Sequence, residues 1–278
     1  MTDLPTAVDE YDVPLGGLIS SQRLAFNRTH LEAVVAEVRF VASREEVTEA
    51  EAVAVWKQVG ADLLPVFERT SLNTLTVTVT PGGADQHTVQ QQGWVMASAD
   101  RATSVTVFPA MLVVQTARYE RYSRSLAGPL AAALRAYAEA MAPSVVQRIG
   151  LRYINRLTDA AATTPEFWRD HVQPAFAGTL RSDLAAMTVG LHQQAHLRLD
   201  DFAAARVQTG VFQEPNPEGR FSYLLDVDVF REQAMPFDLE LCGNLTRQLN
   251  RTALALFLRV LSERYVADLE PVVEGDPR

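Results

Sequence analysis

Alternation of apolar and polar residues runs through most of the chain. LEAVVAEVRFVA (31–42), LNTLTVTVT (72–80) and HTVQQQGWVMAS (87–98) each read as strands, and TSVTVFPAMLVVQTA (103–117) reads as two, meeting at Phe108-Pro109-Ala110. Helical spacing interrupts them twice. Thr48 and Glu51 form a capping-box pattern ahead of Val55, Val59, Leu63 and Phe67, which recur every four residues as an inward stripe. Leu126, Leu130, Leu134, Tyr137 and Met141 mark a longer helix, with Pro129 early in it or kinking it.

The same order of elements then recurs. RIGLRYINRL (148–157) alternates as a strand, and Thr164-Pro165 reads as N-cap and N1 of a short helix through Phe167, Trp168, His171 and Val172. LAAMTVGLHQQAHLRL (184–199), AAARVQTGVF (203–212) and RFSYLLDVDVF (220–230) predict three strands. A closing helix from about Asp238 to Asp268 carries Leu245, Leu249, Ala253, Leu256 and Val260 inward. The two opening strands align, VRF (38–40) against LRY (151–153). The expectation is an α+β protein of two tandem β-α-β-β-β(-β)-α repeats, whose antiparallel sheet carries its helices on one face. Joined edge to edge, two such halves resemble the saddle of TATA-binding proteins in outline, a likeness of shape that does not carry function. The expected division is an N-terminal arm over 1–29, a first repeat over 30–143, a second over 144–271 and a polar tail over 272–278.

Composition narrows the function classes. The 278 residues, 47% of them hydrophobic, can bury a substantial core. A net charge of −9 argues against a protein that depends on phosphate contacts, so nucleic-acid binding and anionic membrane surfaces are disfavoured as partners. Cys242 is the single cysteine and has no intramolecular disulfide partner. The acidic N-terminal segment lacks the pattern of a secretory signal, and no apolar run reaches the roughly 20 residues of a membrane span, so a reducing cytoplasm is the expected location. Lys57 is the only lysine, the other basic residues being arginine.

Candidate chemistry lies on the strand parity opposite the helices. In the first half that parity holds Thr74, Thr76, Thr78, Gln90, Gln92 and Trp94. It is either a solvated sheet face or a binding platform with Trp94 as its anchor. In the second half it holds Arg148, Arg152 and Arg156, then Thr188, His192, Gln194, His196 and Arg198, then Asp226 and Asp228. Cross-strand ion pairs between those arginines and Asp226 or Asp228 are the favoured arrangement, worth under about 1 kcal/mol at an exposed site. The two histidines and two aspartates also form a candidate metal set. Residues four apart on a strand, however, lie about 13 Å apart, so one ion cannot take both histidines, and no metal or other cofactor is expected. The chain has no phosphate-cradling glycine loop, GxSxG, HExxH or CxxC pattern.

NRTHLEAVVAEVRF (27–40), VVQRIGLRYINRL (145–157), LLDVDVF (224–230) and LTRQLNRTALALFLRVLSERY (245–265) together resemble an uncharacterised, sporadically distributed prokaryotic protein family whose members carry a similar IGLRYINR core. The resemblance covers nearly the whole chain after the N-terminal arm. It departs at His30, where a proline is expected. It implies no catalytic set, so no functional residue is carried over. The patchy distribution implies an accessory role, such as a defence, toxin-neutralising or mobile-element component. The expected function is therefore a non-catalytic binding or adaptor protein that engages a protein partner through the open sheet face or the groove between halves, with homo-oligomers through sheet edges as a further option. The alternative is a hydrolase built on His192, His196, Asp226 and Asp228, with Arg152 holding an anion.

Overall fold

The computed structural model describes residues 9–18, 24–42, 44–80, 83–215 and 218–273, with the side chains of 74–89 and 273 outside that description. In chain order the elements are β1 (Leu24–Phe26), β2 (Leu31–Phe40), α1 (Glu49–Val59), β3 (Val66–Thr80), β4 (Gly83–Ala97), β5 (Thr103–Phe108), β6 (Met111–Thr116), α2 (Tyr122–Ser125) and α3 (Ala127–Met141). There follow β7 (Val145–Leu157), α4 (Pro174–Ala177), β8 (Leu191–Arg198), β9 (Ala203–Gln213), β10 (Phe221–Pro236), α5 (Leu239–Val260), α6 (Glu263–Asp268) and β11 (Pro271–Val273). Nine strands form one antiparallel sheet in the order β3-β4-β5-β6-β2-β7-β10-β9-β8.

Strand periodicity decides which side chains meet the helices. On β2, Val34, Ala36, Val38 and Phe40 are buried, and Ile149 and Leu151 continue the same layer on β7. Helices α3 and α5 cover that layer, α3 with Leu130, Leu134 and Tyr137, and α5 with Leu245, Leu249 and Leu256. Tyr137 reaches the β5–β6 turn, donating to the backbone oxygens of Phe108 and Pro109 at 3.1 and 3.0 Å. The Phe40 and Tyr137 rings stack with centroids 4.6 Å apart, joining the central strand to α3. Among the described residues, the opposite face of the sheet carries no helix.

Several boundaries differ from the expectations. The capping box at Thr48 forms, with reciprocal bonds between Thr48 and Glu51. The helix it opens ends at Gly60, whose φ of 111° suits only glycine, so Leu63 is 75% exposed instead of inward and Phe67 belongs to β3. Only 191–198 of the segment 184–199 is strand. Ahead of it, the Ser182 and Thr188 hydroxyls bond to the backbone of Leu184 and hold a local turn instead of a ladder. The closing helix is two helices. Leu261 is extended and bridges to Val172, and Ser262 then caps α6.

The first and last described segments are tied in. Leu15 N–H donates to Thr252 Oγ1 at 3.0 Å, and Gln248 donates to the Glu10 carbonyl at 3.1 Å, holding the lead-in segment along α5. Strand β1, within the expected arm, pairs with β11, which runs into the expected polar tail. Among the described residues, no helix is long and apolar enough to cross a membrane.

Candidate functional site: the charged sheet face

Strand β7 places Arg148, Gly150, Arg152, Ile154 and Arg156 on the helix-free face, because every second residue of a strand points the same way. Across the β7–β10 register, Arg152 stands opposite Asp228 and Arg156 opposite Leu224, while Asp226 lies one step along, opposite Ile154. The sequence-predicted arginines and aspartates therefore share one face and meet.

Each arginine is held by carboxylates. Arg152 makes a two-pronged pair with Asp226, Nε to Oδ1 at 2.8 Å and Nη2 to Oδ2 at 2.6 Å. Hydrogen bonding to Asp226 raises the Arg152 guanidinium above its ordinary pKa. Arg148 donates to Glu37 Oε1 at 2.6 Å and lies 3.4 Å from Asp228 Oδ2 and 3.5 Å from Glu232 Oε1, over the ring of Phe230. Gly150 makes this possible, since a Cβ there would lie 2.4 Å from Arg148 Nη1. Arg156 grips Glu214 through Nε and Nη2, and Ser222 Oγ donates to the same carboxylate. Arg206 of β9 completes the layer with a 3.1 Å contact to Asp228.

Burial sets the character of this network. Asp226, Asp228 and Glu214 are buried, whereas Arg152, Arg156 and Arg206 keep part of their guanidinium surface open. This corrects the expectation of an exposed, weak set of pairs: flanking arginines from neighbouring strands roof the short acids over. Asp228 shows the cost. Its burial raises its carboxyl above the ordinary carboxylate range despite the attraction of Arg148, Arg206 and Arg152. Its contacts are long, while the Asp226 pair is short and bidentate, so the two aspartates are not equivalent.

Three other expectations are corrected. Trp94 is 7% exposed and lies on the helix side, where its Nε1 donates to the Val47 carbonyl at 3.0 Å and its ring stacks 4.8 Å from Phe67. Register sets Trp94 beside Val107, which continues through Leu112 to Val38 as the buried helix-side layer, so Trp94 anchors no platform. The side chains of Thr74, Thr76 and Thr78 lie outside the described residues. His192, His196 and Arg198 sit on the edge strand β8, exposed. Strand β9 separates them from β10, about 10 Å at ordinary strand spacing, and Arg206 stands between His196 and Asp228. The four hydrolase residues are thus not brought together. Among the described residues, no group of three or more His, Cys, Asp or Glu is placed to hold a metal ion. Cys242 is buried in α5, and burial pushes its thiol up to about 11.

Glu37, Arg206 and Glu214 were not singled out from sequence. Glu37 and Arg206 carried a usable signal, being on the outward parity of their strands. Glu214 lies just past β9 and joins the network only through the chain's return at Arg220, whose carbonyl accepts from Glu214 N–H at 2.7 Å.

No family model matches the chain, and no curated protein is similar to it. Among solved structures, one similar chain is the S. pombe Pct1 RNA triphosphatase in complex with the Spt5 CTD, at 7% identity and a TM-score of 0.11 over 86% of this chain and 85% of that one. A TM-score that low carries no argument about fold or activity.

Proposed function

We propose that the chain is a non-catalytic binding protein that engages a protein partner through the helix-free face of its sheet. The observation that carries this reading is the internal saturation of the arginine layer. The forks of Arg148, Arg152 and Arg156 are already spent on Glu37, Asp226 and Glu214, which leaves little for a small anion to take. What the face offers outward is partly open guanidinium surface beside Phe212, Gln194 and His196. Arginines and aromatics fixed in place are the residue types enriched where proteins dock.

The finer architecture belongs to the same proposal. The halves are two copies of one β-α-β-β-β(-β)-α unit, giving a saddle in outline. Supporting this, β2 and β7 pair at the centre of the sheet, and the strands run outward as β6-β5-β4-β3 on one side and β10-β9-β8 on the other. The outer strands β3 and β8 are open edges through which a second copy could pair, a point that sedimentation at rising concentration would decide.

Affinity capture with the full chain, Gln194→Lys and Phe212→Ser tests the docking face. Both positions are exposed and outside the buried ion pairs. The expected outcome is a protein retained by the native chain and lost by both variants at unchanged melting temperature. Identical capture by all three proteins would refute the sheet face as the docking surface.

A further inference from the structure

A cleft lies on the other side of the sheet, between its helix-covered face and α5, and enclosing about 880 Å³ including its open mouth. Its floor is Tyr153, Asn155 and Leu157 of β7 with Val227 of β10, and α5 walls it with Asn250, Leu254 and Phe257. The opposite walls come from Leu24–Phe26 of β1 and from Tyr119–Tyr122, the link between β6 and α3. The surroundings are largely apolar and aromatic, with a few polar groups among them, the character of a small-molecule site.

The polar groups inside are few and fixed. Tyr153 donates to Asn250 Oδ1 at 2.6 Å, and the Tyr119 hydroxyl stands 3.2 Å from that of Tyr153. Burial raises the Tyr153 phenol well above its ordinary pKa, so it keeps the proton it donates. Asn250 Oδ1 is thereby occupied, and its Nδ2 amide has no protein partner among the described residues. Asn155 is the complement. Only 6% exposed, it spends Nδ2 on the Leu225 carbonyl at 3.1 Å, and among the described residues its Oδ1 takes no protein donor. A donor and an acceptor left over on side chains held by other bonds give the cleft a fixed polar edge that a ligand with the complementary pair can meet.

Charge at the rim supplies the remaining constraint. Arg28 and Arg121 line the cleft beside Glu120, and Arg251, which also lines it, is engaged with Asp12. Arg28 is steadied by the Asp268 carbonyl at 3.2 Å, and Arg251 lies 3.8 Å from Asp12. His30 lines the same rim, and burial together with Arg28 holds its pKa below the ordinary value, so at neutral pH the arginines carry the positive charge.

We propose that this cleft binds a small heteroaromatic anion: a planar ring with a donor and an acceptor on its edge, and a carboxylate or phosphate tail. The ring lies among Phe26, Phe257 and Leu254, its polar edge meets the Asn155 and Asn250 amides, and the tail reaches the arginine rim. An aliphatic chain would fill the apolar volume but leave both amides unmatched. The inference is independent of the docking face, since the two surfaces lie on opposite sides of the sheet.

Calorimetric titration of the full chain with indole-3-acetate, adenosine monophosphate, indole-3-acetamide and octanoate tests this proposal. Saturable binding of either heteroaromatic anion is expected, and the one that binds identifies the tail as carboxylate or phosphate. The neutral amide and octanoate should each bind about tenfold more weakly or not at all. Asn250→Leu should weaken binding about tenfold. Leu254→Trp, a half-buried position facing the cleft, should block it at unchanged melting temperature. Absence of saturable binding by both anions overturns the proposal, as does equal binding of octanoate or binding indifferent to Leu254→Trp.

Discussion

Arg152 and Asp226 form a bidentate ion pair across the β7–β10 border, with both nitrogen–oxygen distances at or below 2.8 Å and the aspartate 4% exposed. Asp228, two residues on, is buried almost as deeply but is reached only by contacts of 3.1 Å and longer. One acid is compensated by geometry and the other is compressed by desolvation, which separates their expected mutational effects.

Asp226→Asn should cost about 2–3 kcal/mol in urea unfolding, because it disrupts a short charge-assisted pair in a buried setting. Asp228→Asn should cost less than about 1 kcal/mol at neutral pH. The raised pKa of Asp228 means that the folded chain binds its proton more tightly than the unfolded chain. That contribution to stability is complete below the unfolded value of 3.8 and is lost as pH rises through the folded value, so at neutral pH the native charge is a burden that asparagine removes. Equal losses for the two variants would contradict the difference in geometry.

Trp94→Ala should destabilise by about 3–5 kcal/mol, the scale for deleting a buried aromatic. Trp94→Phe should keep much of the packing on Phe67 and forfeit the bond to Val47, at an intermediate cost. Denaturant midpoints of the three proteins measure both. An alanine variant as stable as the native chain would restore Trp94 to the surface.

Gly210→Ala addresses the edge of the sheet. A Cβ at 210 would lie 2.3 Å from the Leu191 carbonyl oxygen of β8, a backbone atom that cannot swing aside. The variant should lose about 1–3 kcal/mol and show faster amide exchange over 191–198, while exchange in β2 and β7 stays native. Unchanged protection of β8 would argue against the register observed here.

His30 makes stability depend on mild acid. Burial, then the nearby Arg28, lowers its folded pKa, with Asp159 opposing, and its Nδ1 lies 3.2 Å from Thr158 Oγ1. The neutral ring's contribution is fully present above the unfolded value of 6.5 and is lost as pH falls through the depressed folded value. The urea midpoint should drop over that window, and His30→Gln should flatten the drop. An identical slope in the variant would assign the acid response to other groups.

Local patterning determined much of this molecule. A period of two places Arg148, Arg152 and Arg156 on one side of β7, and Asp226 and Asp228 on one side of β10, whatever the rest of the chain does. The Thr48–Glu51 pair starts α1, and the spacing of Leu126, Leu130, Leu134 and Tyr137 marks the buried face of α3, because caps and helical stripes are interactions between near neighbours. Tertiary structure alone decided what each face meets. Alternation separates two sides of a strand without saying which is covered, and only register with Val107, Leu112 and Val38 put Trp94 inside. Register brought Glu37 to Arg148 from 111 residues away and Arg206 to Asp228 from 22, and the chain's return at Arg220 brought Glu214 to Arg156 from 58. Asn155 and Asn250 face one cleft only because α5 lies along β7, and β1 meets β11 only because residues 24–26 and 271–273 return to the same side. Such contacts depend on how distant segments dock, which the residues of each segment do not encode separately.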